Sequence, residues 1–173
     1  MQARRLGERV WNRLLSDDND RREHMSLRYR HIVEDDVAAI ARVHRDACLI
    51  AYKFMNWAYG EDETRDWVAG KYREWDWGLV AEDRRVVGFA VTIESHLDLL
   101  FVEPEHQGLG IGTALLTAAL KKMPPVVTLT VFEENAPARR FYERHGFRQV
   151  RRFMNVEEAA IELEYRRESG TSS

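Results

Sequence analysis

One stretch, Leu97 to Val131, limits the folds open to this chain more than any other. Leu97-Asp98-Leu99-Leu100-Phe101-Val102 is a short apolar run of strand-compatible residues, and Pro104 keeps it from continuing as a regular ladder. The loop Gln107-Gly108-Leu109-Gly110-Ile111-Gly112-Thr113 follows. Ile111, Leu115 and Ala119 then recur at helical spacing, with Leu116 and Leu120 beside them, until Pro124-Pro125 stops the helix. Val126 to Val131 is a nearly continuous β-branched run, suited to a strand covered on both faces. Strand, loop, helix and strand make a βαβ unit, so the chain needs a sheet with helices packed on it.

Three glycines fall where that helix begins. Glycine lets a backbone come close to a bulky ligand, and the first N–H groups of a helix have no partner within it. Turned outward, they form an anion site at the positive end of the helix dipole. No Lys or Arg lies between Gln107 and Thr113, so a phosphate here is gripped by backbone amides and the Thr113 hydroxyl. A P-loop would need Gly-Lys-Ser/Thr, and no Lys follows Gly112. The dinucleotide fingerprint needs Gly-x-Gly-x-x-Gly, whereas the spacing here is Gly-x-Gly-x-Gly, which argues against a nucleotide-cofactor enzyme. A glycine-rich turn that only caps a core helix is the plain alternative.

A second block runs from Glu133 to Phe147. Asn135 is placed to cap a helix, Pro137 suits its first turn and Gly146 its end. Together the two blocks resemble the GNAT superfamily of acyl-CoA-dependent N-acyltransferases. Gln107-x-x-Gly110-x-Gly112 is similar to that family's Arg/Gln-x-x-Gly-x-Gly/Ala signature, and Phe101 to His106 to the strand end leading into it. Asn135, Ala138, Phe141, Tyr142, Gly146 and Phe147 match the second signature, Asn-x-x-Ala-x-x-Phe-Tyr followed by Gly-Phe. The resemblance covers Leu27 to Arg166 and is strongest from Val86 to Phe147.

The resemblance implies an α/β fold of GNAT type, with a mixed, mostly antiparallel sheet and helices on both faces. It implies acetyl-CoA as co-substrate and a primary amine as acceptor, joined in a ternary complex without a covalent enzyme intermediate. No Ser–His or Cys–His pair stands near the signatures, in keeping with direct attack. Pantetheine is then expected against the backbone of Leu100, Phe101 and Val102, where the family's sheet splays. The pyrophosphate is expected on Gln107, Gly108, Leu109, Gly110, Ile111, Gly112 and Thr113, with Asn135, Ala138, Phe141 and Tyr142 completing the coenzyme site. Tyr142 is the expected donor to the departing thiolate. The acceptor amine must lose a proton, and Asp98 is the first candidate base, followed by Glu94 and His96. Ordering water or neutralising the incoming cation is equally open to Asp98. Family members are often dimers, so a homodimer is a further expectation. The rival from another class is a non-catalytic acyl-CoA-binding module.

The rest of the chain sets bounds. At 173 residues there is room for one domain with one substantial core. The composition, 45% apolar and 32% charged, is that of a globular protein, and the net charge of −3, with acids and bases interspersed, argues against nucleic acid as an obligate partner. One cysteine, Cys48, excludes an internal disulfide, and with no zinc-ligand spacing in sight no metal site is expected. Cys48 sits among apolar neighbours and reads as a buried thiol in a cytoplasmic protein. No apolar run approaches the length of a membrane span.

Residues 1–24 read as an amphipathic and polar extension, residues 25–167 as the acetyltransferase domain and residues 168–173 as a disordered tail. Met25 is a candidate start of translation. Strands are expected at Leu27 to Ile32, Trp77 to Ala81, Val86 to Ile93, Phe147 to Met154 and Ile161 to Arg166. Glu82-Asp83-Arg84-Arg85 reads as a polar hairpin turn. Helices are expected from Glu34 and from Glu61, and aromatic residues there suit a core; the resemblance implies that this helical pair roofs the acceptor cleft, with Tyr52, Phe54, Trp57 and Trp75 as candidates for shaping it.

Overall fold

The computed structural model describes residues 25–55 and 59–169. The N-terminal extension, Trp57 and residues 170–173 lie outside these. Among the described residues, the strands are β1 (Arg28–His31), β2 (Trp77–Asp83), β3 (Arg85–Ile93), β4 (His96–Val102), β5 (Val126–Phe132), β6 (Arg148–Asn155) and β7 (Ala160–Glu168). The helices are α1 (Val37–Ala51), α2 (Glu61–Tyr72), α3 (Ile111–Leu120) and α4 (Ala136–Arg144). The sheet order is β1-β2-β3-β4-β5-β7-β6. Every neighbouring pair is antiparallel except β4 and β5, which are parallel.

Helices cover both faces, as the resemblance implied. Ile111, Leu115, Leu116 and Ala119 of α3 are buried against Val87, Ala90 and Leu129. Ile40 and Val43 of α1 and Val68 of α2 are buried on the other face against Val80, Phe89 and Val91. β3 lies between these two layers, which explains seven consecutive buried residues from Val86 to Thr92. No helix among the described residues is long and apolar enough to cross a membrane.

Two expected boundaries shift, each for a visible reason. The polar quartet after β2 is mostly strand: Asp83 pairs with Arg85 around Arg84 alone, whose φ is 61°. Glu82 can extend the ladder because its carboxylate is held by Arg28 and Arg30 of β1. β7 runs to Glu168, and Ser169 adds N–H and hydroxyl bonds to the Pro125 carbonyl at 2.7 and 3.1 Å. Glu168 and Ser169, expected in a disordered tail, instead have partners across the sheet. At the other end, Asp36 precedes α1 in a 3₁₀ turn; its carboxylate accepts from the Val33 N–H at 2.9 Å and clamps the Arg30 guanidinium at 2.7 Å on both oxygens.

Candidate active site

The corner after β4 is tied down before the glycine loop starts. Glu103 is 3% exposed, and its carboxylate pairs with Arg42, Arg85 and His106. The Gln107 side-chain amide donates to the Val102 carbonyl at 3.0 Å, and the Gln107 N–H donates to Pro104. The Gln107 amide, expected among the phosphate donors, is thus spent inside the protein. Gly108 and Gly110 have φ of 75° and 87°, a region side chains rarely adopt, and a Cβ at either would project into open space. Gly112 differs: it lies in the first turn of α3, where a Cβ would meet the Phe141 ring at an ordinary 3.6 Å.

The first backbone bond of α3 runs from the Ala114 N–H to the Gly110 carbonyl at 3.0 Å. The Ile111, Gly112 and Thr113 amides have no acceptor among the described residues, as expected for a helix start without a side-chain cap. Beside them the Thr113 hydroxyl lies 3.3 Å from His145 Nε2. His145 Nδ1 is 2.7 Å from the Phe141 carbonyl, which can only accept, so Nδ1 carries a proton and Nε2 faces Thr113. His145 was not singled out in the sequence, because no spacing rule links it to a loop 32 residues earlier.

Below the loop the sheet opens. β4 and β5 pair only at His96 and Thr128, where the Thr128 N–H donates to Ser95 and the His96 ring meets the Thr128 hydroxyl at 2.9 Å. Beyond that point the strands part. The Glu103 N–H points to Val87 of β3, so by strand alternation the backbone groups of Leu100 and Val102 face the gap, while those of Phe101 face β3. The Val102 carbonyl is already taken by Gln107. The Leu100 N–H and C=O and the Val102 N–H have no partner among the described residues and can meet an extended ligand.

The gap opens into a cavity of about 630 Å³ between β4, β5 and the two roofing helices. α4 brings Tyr142 to its wall. Asn135 caps α4 by accepting from the Ala138 N–H at 3.2 Å, and Gly146, at φ 85°, ends the helix. Tyr142 packs on Phe141 and Phe147 and is 8% exposed, yet its hydroxyl has no hydrogen-bond partner among the described residues. Burial pushes its phenol well above the usual range. The hydroxyl is open to the cavity, where a ligand can accept its hydrogen bond.

The expected bases fare differently. Asp98 reaches the cavity, but Oδ2 accepts from Trp75 Nε1 at 2.9 Å and Oδ1 lies 3.3 Å from Lys71 Nζ. Glu94 is exposed in the β3–β4 turn at φ 53°, away from the cavity wall. His96 lies at the β4–β5 junction, also off the wall, and burial lowers its pKa. His44, absent from the sequence shortlist, does line the cavity, packed against Trp67 and Phe101 at ring distances of 5.1 and 4.7 Å. Burial pushes it down to about 4 against the opposing pull of Asp98.

His44 also forms a Cys–His pair away from the two signatures, with Cys48 Sγ 3.6 Å from Nε2 one helical turn on. The pair is not a nucleophile. Cys48 is fully buried and off the cavity wall, and burial raises the thiol while it lowers the imidazole, so an ion pair is opposed on both sides. Of the expected aromatics, Tyr52 lines the cavity; Phe54 sits behind it against Tyr52 and Phe132, and Trp75 stands behind Asp98. Tyr59 and Trp67 line it instead. Among the described residues no three His, Cys, Asp or Glu side chains are grouped to hold a metal ion.

A crevice at the carboxyl ends of two parted parallel strands, with free amides at one end and a donor hydroxyl within, suits a transferase that uses a long diphosphate-bearing acyl carrier. Residues 40–147 match the model of the acetyltransferase (GNAT) family, and the chain belongs to that family. It is 33% identical over 105 residues to the peptidyl-lysine N-acetyltransferase YjaB of Escherichia coli K12, covering 53% of this chain and 71% of the relative. The fold is similar to the solution structure of apo-form YjaB from Escherichia coli, with a TM-score of 0.69, 25% identity and coverage of 82% and 97%. It is also similar to yncA from Salmonella typhimurium, a structure containing acetyl-CoA, with a TM-score of 0.63, 19% identity and coverage of 86% and 96%. The enzyme is thus an acetyltransferase with acetyl-CoA as co-substrate, and the Ile111–Thr113 amides, the gap-facing groups of Leu100 and Val102 and the Tyr142 hydroxyl fit that molecule.

Proposed function

We propose that this enzyme acetylates the side-chain amine of lysine in a peptide or protein, the amine attacking acetyl-CoA directly while both are held in one complex. The observation that carries the reading is the Tyr142 hydroxyl, without a hydrogen-bond partner among the described residues, on the wall of the cavity beneath the parted strands. The acceptor class is supported by the name of YjaB and by a cavity with room for a side chain beside the thioester.

In this reading the Ile111, Gly112 and Thr113 amides hold the diphosphate, and the gap-facing N–H groups of Leu100 and Val102 align the carrier and polarise the thioester carbonyl. Acetyl-CoA supplies the activated acyl group. Tyr142 donates a hydrogen bond to the sulfur. Full proton transfer from an ordinary phenol to a thiolate of pKa about 8.5 is already uphill by about 2 kcal/mol, and burial of Tyr142 raises that cost.

The acceptor must arrive as a free amine. Moving a proton from an ammonium of pKa about 10.4 to His44, held at about 4, would cost about 9 kcal/mol. Both Asp98 oxygens are engaged by Trp75 and Lys71, so of the two roles open to Asp98 the geometry favours attracting the cation over abstracting its proton. Deprotonation to solvent then precedes attack. A reducing cytoplasm suits the lone, buried Cys48.

The test is release of free CoA thiol from acetyl-CoA in the presence of a lysine peptide, with mass analysis of the peptide. Thiol release that needs both substrates, with one acetyl group per modified lysine, is expected. Tight acetyl-CoA binding without turnover on any amine would leave the non-catalytic binding module standing instead.

A further inference from the structure

The cavity wall carries a charge asymmetry that acetyl transfer alone does not require. Besides Asp98, it presents Glu63 from α2 and Glu157, Glu158 and Glu162 from the β6–β7 loop and β7, and among the described residues no Lys or Arg. Asp98 has Lys71 as counterion; among the described residues the other four have none. Their hydrogen bonds are to neutral groups: Glu63 accepts from the Gly60 N–H, Glu158 from the Tyr59 hydroxyl at 3.5 Å, and Glu162 from the Asn155 amide at 2.7 Å. Asn155 Oδ1 in turn accepts from the N–H groups of Glu157 and Glu158, which holds that loop in a turn against the cavity.

The carboxylates are not spread evenly. Glu63 and Glu157 are exposed at the mouth, beside the exposed rings of Tyr59 and Trp67, and Glu158 and Glu162 are half-buried. The deeper wall is formed by buried groups: Tyr142, His44, Leu97 and Val131. Tyr142, more than nine-tenths buried on this same wall and without a hydrogen-bond partner among the described residues, is where the proposed reaction takes place. Carboxylates next to a reacting ammonium would stabilise its charged form and oppose attack. Carboxylates at the mouth avoid that cost and remain free for a different cation.

We propose that the acidic mouth formed by Glu63, Glu157 and Glu158 selects lysines that have a second basic residue close by in the peptide, binding that second cation while the lysine amine enters towards Tyr142. This rests on the lysine-acetyltransferase reading and assigns the acceptor context. The exposed rings of Tyr59 and Trp67 add faces on which a guanidinium can stack.

The test compares three peptides that differ only beside one lysine: flanked by Ala, by Arg or by Glu. On the unmodified enzyme, kcat/KM for the Arg-flanked peptide should exceed that for the Ala-flanked one by about tenfold at low salt, the yield of two exposed ion pairs, and the advantage should shrink as salt rises. The Glu157→Gln/Glu158→Gln variant should bring the Arg-to-Ala ratio towards one. Glu158→Lys should move the preference towards the Glu-flanked peptide, a gain that a misfolded variant cannot show. Equal kcat/KM for all three peptides on the unmodified enzyme overturns the proposal while leaving lysine acetylation intact; no thiol release with any peptide overturns both. A gain confined to a free straight-chain diamine over the matching monoamine, with the peptides indifferent, assigns the mouth to a polyamine and overturns the peptide assignment.

Discussion

Tyr142 is packed in the core and is also the proposed hydrogen-bond donor to the sulfur. Its ring is packed between Phe141 and Phe147, so Tyr142→Phe should fold normally while removing the only donor the ring can offer. The expected result is a fall in kcat of about tenfold or more with acetyl-CoA affinity nearly unchanged, read by steady-state kinetics and calorimetry. Because burial raises the phenol, Tyr142 should contribute no alkaline limb to the pH–rate profile below about pH 10. For Asp98→Asn the expected outcome is a raised KM for the amine, with kcat/KM still climbing with pH as the free-amine fraction grows; a profile flattened by the substitution would return Asp98 to the role of base. Tyr142, Asn135 and Asp98 could be shortlisted from the sequence because motif or strand position placed them. His44 could not, since its part in the cavity depends on how α1 lies over β4.

At the scale of elements, the glycine loop divides into positions that look alike in sequence and behave differently. Gly110 needs its positive φ and Gly112 does not. Gly110→Ala should therefore lower unfolding free energy by about 1 kcal/mol or more, whereas Gly112→Ala, inside α3, should raise it by about 0.5–1 kcal/mol. Urea unfolding of the two variants checks the opposite signs. The start and end of α3, the Asn135 cap of α4 and the strand that follows α3 were legible from local chemistry, because each depends on a few neighbouring residues. The hairpin after β2 was not: its polar quartet is drawn into strand pairing by Arg28 and Arg30, more than fifty positions away.

For the molecule as a whole, pH links the cavity to stability. His44 titrates at about 4 in the fold and about 6.5 when unfolded, so the unfolded chain binds more protons between those values. The neutral-pH stability is thus intact above about pH 6.5 and is lost progressively towards pH 4, by up to about 3 kcal/mol from this residue. His96, lowered in the same direction by burial, adds to the same limb. Urea unfolding between pH 7 and 4 should show the loss, and His44→Gln should remove part of it.

The amino-acid sequence by itself determined the βαβ unit, the helix-opening glycines and the family, because these rest on contiguous patterns of periodicity, capping and backbone freedom. Only the tertiary structure decided which groups share the cavity. It tied the Gln107 amide to Pro104, set Glu94 outside the cavity and occupied both oxygens of Asp98. It also brought His44 to Trp67 and His145 to Thr113, and set the carboxylates of α2 opposite those of the β6–β7 loop. Such meetings are made by the parting of β4 from β5 and by helices lying across distant strands, and no local pattern records a distance between residues so far apart in the chain.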